Sequence, residues 1–178
     1  MNRMRVLRLA AAYCAAVAFV APIWAEYDGG LGTAENPYLI NTPEQLNSIG
    51  LNTSHWSAHF RLTSDINMGI YTGIQYHIIG NSTTKFTGTF DGNGHVISNL
   101  TYFTTANVNY VGLFGYTYYA YITNLGLENV VIESAGSHLG GLAGSAVSGV
   151  FYGCYVTGYV TGTGYNSCLL YTSPSPRD

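Results

Sequence analysis

The side chains in this sequence able to do acid–base chemistry are few and scattered. Asp65, Asp91, Glu128 and Glu133 lie in different segments, whereas glycoside hydrolysis needs two carboxylates held several ångströms apart on one face. Arg61 and Lys85 are the only bases between residues 26 and 167 that a lyase-type proton abstraction could use. His55 and His59 stand four residues apart without an evident third ligand, so they do not read as a zinc site. The run Asp91-Gly-Asn-Gly94 lacks the further acids and closing Glu of an EF-hand loop and reads as a tight turn. Cys154 reads as a small core residue rather than a reactive thiol. No catalytic, metal-binding or cofactor-binding residue is assigned, and no cofactor is implied. Contact chemistry is suggested at one place, the cluster Tyr116, Tyr118, Tyr119 and Tyr121. Aromatic rings that close together can stack on sugar rings or on a protein partner; the alternative is that they only cover the surface of the fold.

What positions these residues is a repeat. Gly112-Leu-Phe-Gly115 returns as Gly141-Leu-Ala-Gly144, and the following residues match without a gap. Ile122 falls on Phe151, Leu125 on Cys154, Leu127 on Val156 and Val131 on Val160, a constant spacing of 29. A fixed period of this size predicts a solenoid whose turns bury their apolar faces only against their neighbours. The strands are very short and the glycines recur at fixed offsets, which favours an all-β parallel β-helix over an antiparallel sandwich. Ser98-Asn99-Leu100 resembles Thr123-Asn124-Leu125, which predicts an internal ladder of Asn99 on Asn124, broken at Gly153. Upstream, Tyr38 to Ile40 reads as a strand. Thr42-Pro43-Glu44-Gln45 reads as the start of a short helix over 43–49, with Leu46 and Ile49 on its buried side and Gly50 ending it.

The two ends differ in texture from the rest. Residues 1–25 carry Arg3, Arg5 and Arg8 before an apolar run and read as a secretory signal peptide. Residues 168–178 break the Gly/Tyr/Val pattern, back-translate into a transposon-type sequencing adapter, and are expected to be artefactual. On that reading the array is truncated at its C-terminal end. Residues 26–107 are then the N-terminal cap and first coils, and 108–167 the repeat coils. The whole chain carries a net charge of −3, but residues 26–167 hold two basic and eight acidic side chains, a balance of −6. That gives no footprint for nucleic acid or an anionic membrane surface, and no membrane span is expected once the signal is removed. Only Cys154 remains in this span, so no internal disulfide is possible.

Gly140-Gly-Leu-Ala-Gly144 and Gly153-Cys-Tyr-Val-Thr-Gly-Tyr-Val160 resemble the GLUG repeat of secreted bacterial proteins. Gly32-Thr-Ala-Glu-Asn-Pro-Tyr-Leu-Ile40, His59-Phe-Arg-Leu-Thr-Ser-Asp-Ile66, Ile78-Ile-Gly80 and the run from Phe86 to Leu100 resemble the usual lead-in to such repeats. The similarity covers about residues 27–162 and departs from the pattern at Tyr152 and Gly153, where Ser and Asn are more usual. The resemblance implies a right-handed parallel β-helix like that of pectin lyases, on exported or cell-surface proteins, with no defined enzymatic activity. The expected role is therefore a secreted or cell-surface structural or adhesive module that displays loops to extracellular glycans or surface proteins. The rival expectation is the N-terminal part of a carbohydrate-active enzyme, a polysaccharide lyase or glycoside hydrolase, whose active site lies in further coils.

Overall fold

The structure is a computed structural model that describes residues 26–164 and 167–168. The signal-peptide reading and residues 169–178 of the adapter reading lie outside the described residues. The chain opens with β1 (Tyr38–Ile40) and α1 (Pro43–Ile49). Thr42 caps the helix by accepting from the Gln45 amide at 3.2 Å, and the Gln45 side chain accepts from the Asn41 amide at 2.9 Å. Leu46 and Ile49 are fully buried, as their spacing predicts. Asn47 ties the helix to the next coil, donating to Gln75 O and accepting from the His77 amide. Trp56 Nε1, just after a 3-10 turn over Thr53–His55, donates to Ile49 O at 2.7 Å.

From there the backbone coils through about four turns of a parallel β-solenoid. The first sheet stacks β1, β2 (His59–Leu62), β4 (Thr89–Asp91), β8 (Tyr121–Thr123) and β12 (Val150–Tyr152). The second stacks β3 (Ile66–Asn67), β5 (Val96–Ser98), β9 (Gly126–Ser134) and β13 (Tyr155–Gly162), with β6 (Thr101–Phe103) alongside the second half of β9. A third face pairs β7 (Phe114–Tyr118) with β11 (Ala143–Val147), and a fourth pairs β10 (Leu139–Gly140) with β14 (Ser167–Cys168). Every pairing is parallel. Cys168, placed in the tail by its sequence texture, pairs with Gly140.

The core is built from columns of equivalent residues, one strand spacing of about 4.8 Å apart. Phe60, Phe90, Ile122 and Phe151 make one column, and Ile66, Ile97, Leu127 and Val156 another. Phe60, Phe86, Phe90 and Phe114 fill the centre, with Phe86 and Phe114 rings 4.9 Å apart. Cys154 is buried beneath Leu125, the small-core position its alignment predicts.

Corners are turned by residues in the left-handed region, and these too fall in columns. Tyr110 and His138 share one corner (φ 61 each), Tyr119 and Ser148 another (φ 51 and 53), Asn124 and Gly153 a third (φ 52 and 63). Non-glycine residues at these angles carry a steric cost that the surrounding ladder must hold in place.

Two register expectations are corrected. The spacing of 29 holds from Phe114 on Ala143 to Leu127 on Val156 but not beyond. Glu128 and Asn129 bulge against the single residue Thr157, with Asn129 at φ 55, so Val160 pairs with Ile132 and not Val131. The predicted ladder of Asn99 on Asn124 does not form either. The Asn99 amide donates to Glu128 O, next to Asn129 in register, while Asn124 sits at the corner between the first and second sheets.

Candidate functional site

The four tyrosines lie around the corner between the third and first sheets. Tyr116 and Tyr118 flank the buried Thr117 on β7, and Tyr121 opens β8. Between them Tyr119 occupies the left-handed corner position, which swings its ring outward. Tyr118, Tyr119 and Tyr121 are 43%, 58% and 55% exposed, and the first two rings meet edge to face at 4.5 Å. Tyr116 is different. Its ring is half-buried, lies 5.3 Å from that of Tyr110, and carries Lys85 Nζ 5.6 Å from its centre. Tyr110 stacks in turn on His138 at 4.7 Å. Tyr116 is thus committed to a ring–cation stack, and the three others present the open surface.

The next coil extends this surface in a way the sequence reading missed. Val150 stands beside Tyr121 and Tyr152 beside Thr123, and both are exposed. The 29-residue spacing itself locates these two residues. Along the same sheet toward β2 lies a polar stretch. Arg61 Nε donates to Asp91 Oδ2 at 3.0 Å, and the Asn124 amide donates to Asp91 Oδ1 at 3.3 Å.

Two further acids, Asp65 and Glu128, have structural partners. Asp65 accepts from the Val96 amide and meets His95 Nδ1 at 3.1 Å. Glu128 accepts from the Tyr155 hydroxyl at 2.7 Å, and that ring covers Gly126. His55 lies in the 3-10 turn against Tyr27, and His59 on β2. Among the described residues no three His, Cys, Asp or Glu side chains converge on a point. Burial pushes the hydroxyls of Tyr27, Tyr76 and Tyr102 above the ordinary tyrosine range, with Glu26 adding to the effect at Tyr27. Burial likewise pushes up the Cys154 thiol, which disfavours its reactive thiolate.

No family model matches the chain. It is 30% identical over 159 residues to a protein of Evansella cellulosilytica named "Putative Gly-rich membrane protein", covering 82% of this chain and 18% of that protein. It is 33% identical over 157 residues to Halomucin of Haloquadratum walsbyi, covering 81% of this chain and 2% of that protein. The chain therefore spans a small fraction of the length of either relative. Among solved structures it resembles a crystal structure titled as a putative immunoglobulin A1 protease from Bacteroides ovatus. The TM-score is 0.56 at 20% identity, over 83% of this chain and 48% of that one. That likeness shows the shared solenoid fold. Among the described residues no helix is long and apolar enough to cross a membrane.

Proposed function

We propose that this chain is an exported structural or adhesive module of the GLUG-repeat kind, whose right-handed solenoid presents the Tyr118–Tyr119–Tyr121 surface to extracellular glycans. The observation that carries the reading is the trio of exposed rings fixed on a hydrogen-bonded stack. A ring held by its ladder loses little conformational freedom on binding, so more of the contact energy appears as affinity. Tyrosine faces stack on the C–H faces of sugars while the hydroxyls bond to their edges. The names of the two relatives, a Gly-rich membrane protein and a halomucin, fit a surface role. Repetition of such modules would add avidity to weak single contacts.

The test is a glycan array probed with the intact chain and with the double variant Tyr118→Ala/Tyr119→Ala. The proposal expects signal on a subset of glycans that the double variant loses while its melting curve stays cooperative. Absence of glycan binding by the intact chain, with capture of a cell-surface protein through the same tyrosines, would replace the glycan by a protein partner.

A further inference from the structure

Three Asn-X-Ser/Thr triplets occur in the described chain: Asn52-Thr-Ser54, Asn81-Ser-Thr83 and Asn99-Leu-Thr101. This is the acceptor pattern for N-linked glycans on surface loops of exported proteins. What separates the three is the state of each asparagine's Nδ2, the atom that would be glycosylated. Asn52 Nδ2 donates to Glu26 Oε1 and to Ser48 O. Asn99 Nδ2 donates to Asn67 Oδ1 at 3.0 Å, and its backbone is held at φ 56 beside β9. Both are half-buried. Asn81 is exposed, and it lies in a six-residue excursion, 80–85, that leaves the third face after Ile79 and rejoins it at Phe86. Its Oδ1 accepts from the amides of Thr83 and Thr84, both at 2.9 Å. That folds the triplet into an Asx-type turn and leaves the Nδ2 side of the amide outward. Thr83 is exposed as well.

We infer that Asn81 is an N-glycosylation acceptor in the folded protein, and that Asn52 and Asn99 are not. The donor class is a polyprenyl-diphosphate oligosaccharide. Asn81 Nδ2 attacks the anomeric carbon of its first sugar, forming the N–C bond as the carbon–oxygen bond to diphosphate breaks. The amide proton passes to a base of the transferase, and the polyprenyl diphosphate leaves with the electron pair. Among the described residues the side-chain amide of Asn81 is engaged through Oδ1 alone, so substitution on Nδ2 breaks none of their hydrogen bonds. The inference rests on the export reading for its biological setting, but acceptor competence does not depend on it.

The experiment incubates the folded full chain with a single-subunit oligosaccharyltransferase that accepts Asn-X-Ser/Thr and with a polyprenyl-diphosphate oligosaccharide, then maps peptides by mass spectrometry. The expected result is one glycan, at Asn81, lost in Asn81→Gln and in Thr83→Ala. Thr83→Ala removes the hydroxyl but keeps the backbone donor to Asn81, so its melting temperature should match that of the unmodified protein. The urea-unfolded chain should be modified at two or three sites. An Asn81 left bare in the folded chain overturns the inference whether or not the unfolded chain is modified there. So does modification of folded Asn52 or Asn99 at a rate equal to that of Asn81. Cell fractionation tests export separately, so the two ideas can fail independently.

Discussion

Gly115 closes the first Gly-Leu-Phe-Gly unit, and its replacement by alanine probes why that unit contains glycine at all. Its backbone does not need a positive φ. The constraint is space: an added Cβ would sit 2.4 Å from Gly80 O, 2.6 Å from Tyr110 O and 2.8 Å from Ile78 Cγ2. Two of these are backbone oxygens on different segments, so no side chain can simply rotate away. Moving β7 outward instead strains the 2.8 Å bond from the Gly115 amide to Ile79 O. Overpacking of this kind costs about 1–3 kcal/mol, and a weakened ladder bond adds about 1 kcal/mol. We therefore expect a loss of about 3 kcal/mol, which at ~2–4 °C per kcal/mol lowers Tm by about 6–12 °C. Gly94→Ala is the control. It has nothing within 4 Å but sits at φ 79, so it should cost only the left-handed penalty of about 1–2 kcal/mol. Urea denaturation of both variants, monitored by far-UV circular dichroism, gives the comparison. If Gly115→Ala costs no more than Gly94→Ala, close backbone approach is not the reason for the repeated glycine. Gly144, crowded by His138 O at 2.5 Å and Gly115 O at 2.9 Å, should behave like Gly115.

Thr117 is fully buried between Phe86 and Ala146, and among the described residues its hydroxyl has no hydrogen-bond partner. Thr117→Val keeps the shape and removes the buried polar group, so it should stabilise by about 1–2 kcal/mol in urea melts; a destabilised variant would point to an unseen partner. Tyr76 is buried with its hydroxyl donating to Leu113 O at 2.8 Å, and burial holds its ionisation well above normal. The folded state thus prefers the neutral phenol, and this stability is complete below the unfolded tyrosine value of about 10 and is lost as pH rises beyond it. The urea midpoint should fall as pH rises past about 10, and Tyr76→Phe should reduce that fall; an equal fall would exonerate Tyr76. The bulge at Asn129 predicts that alanine substitutions at Ile132 and Val160 couple by about 0.5 kcal/mol or more in a double-mutant cycle, whereas Val131 and Val160 do not.

The solenoid was legible because its causes are local and repeated. Apolar residues recur at one spacing, and glycines recur where the backbone of one coil presses on the next. The short helix was legible because Thr42, Pro43 and Gln45 carry its capping chemistry. The register after Val156 was not, since two residues oppose one at Thr157 and alternation of side chains resumes on the far side without a trace in composition. The Asn99–Asn124 pairing failed because local similarity does not set a column; the length of a coil does. Those two residues are 25 apart, while the neighbouring columns run from Val96 to Gly126 and from Phe114 to Ala143. The tyrosine cluster was visible as composition, but its division was not. Lys85 reaches Tyr116 only because the excursion at 80–85 folds back onto β7.

In the proposed function the open rings at the sheet corner make the contact and the committed ring beside them does not. The most direct measurement is the dissociation constant of the best array glycan for the intact chain, for Tyr118→Ala/Tyr119→Ala, and for Tyr116→Ala. At about 1 kcal/mol or more per lost stacking contact, binding should weaken tenfold or more in the double variant. Tyr116→Ala should leave the constant within about twofold, its loss appearing in the melting temperature instead. Equal affinity of the double variant and the intact chain would show that Tyr118 and Tyr119 do not hold the glycan.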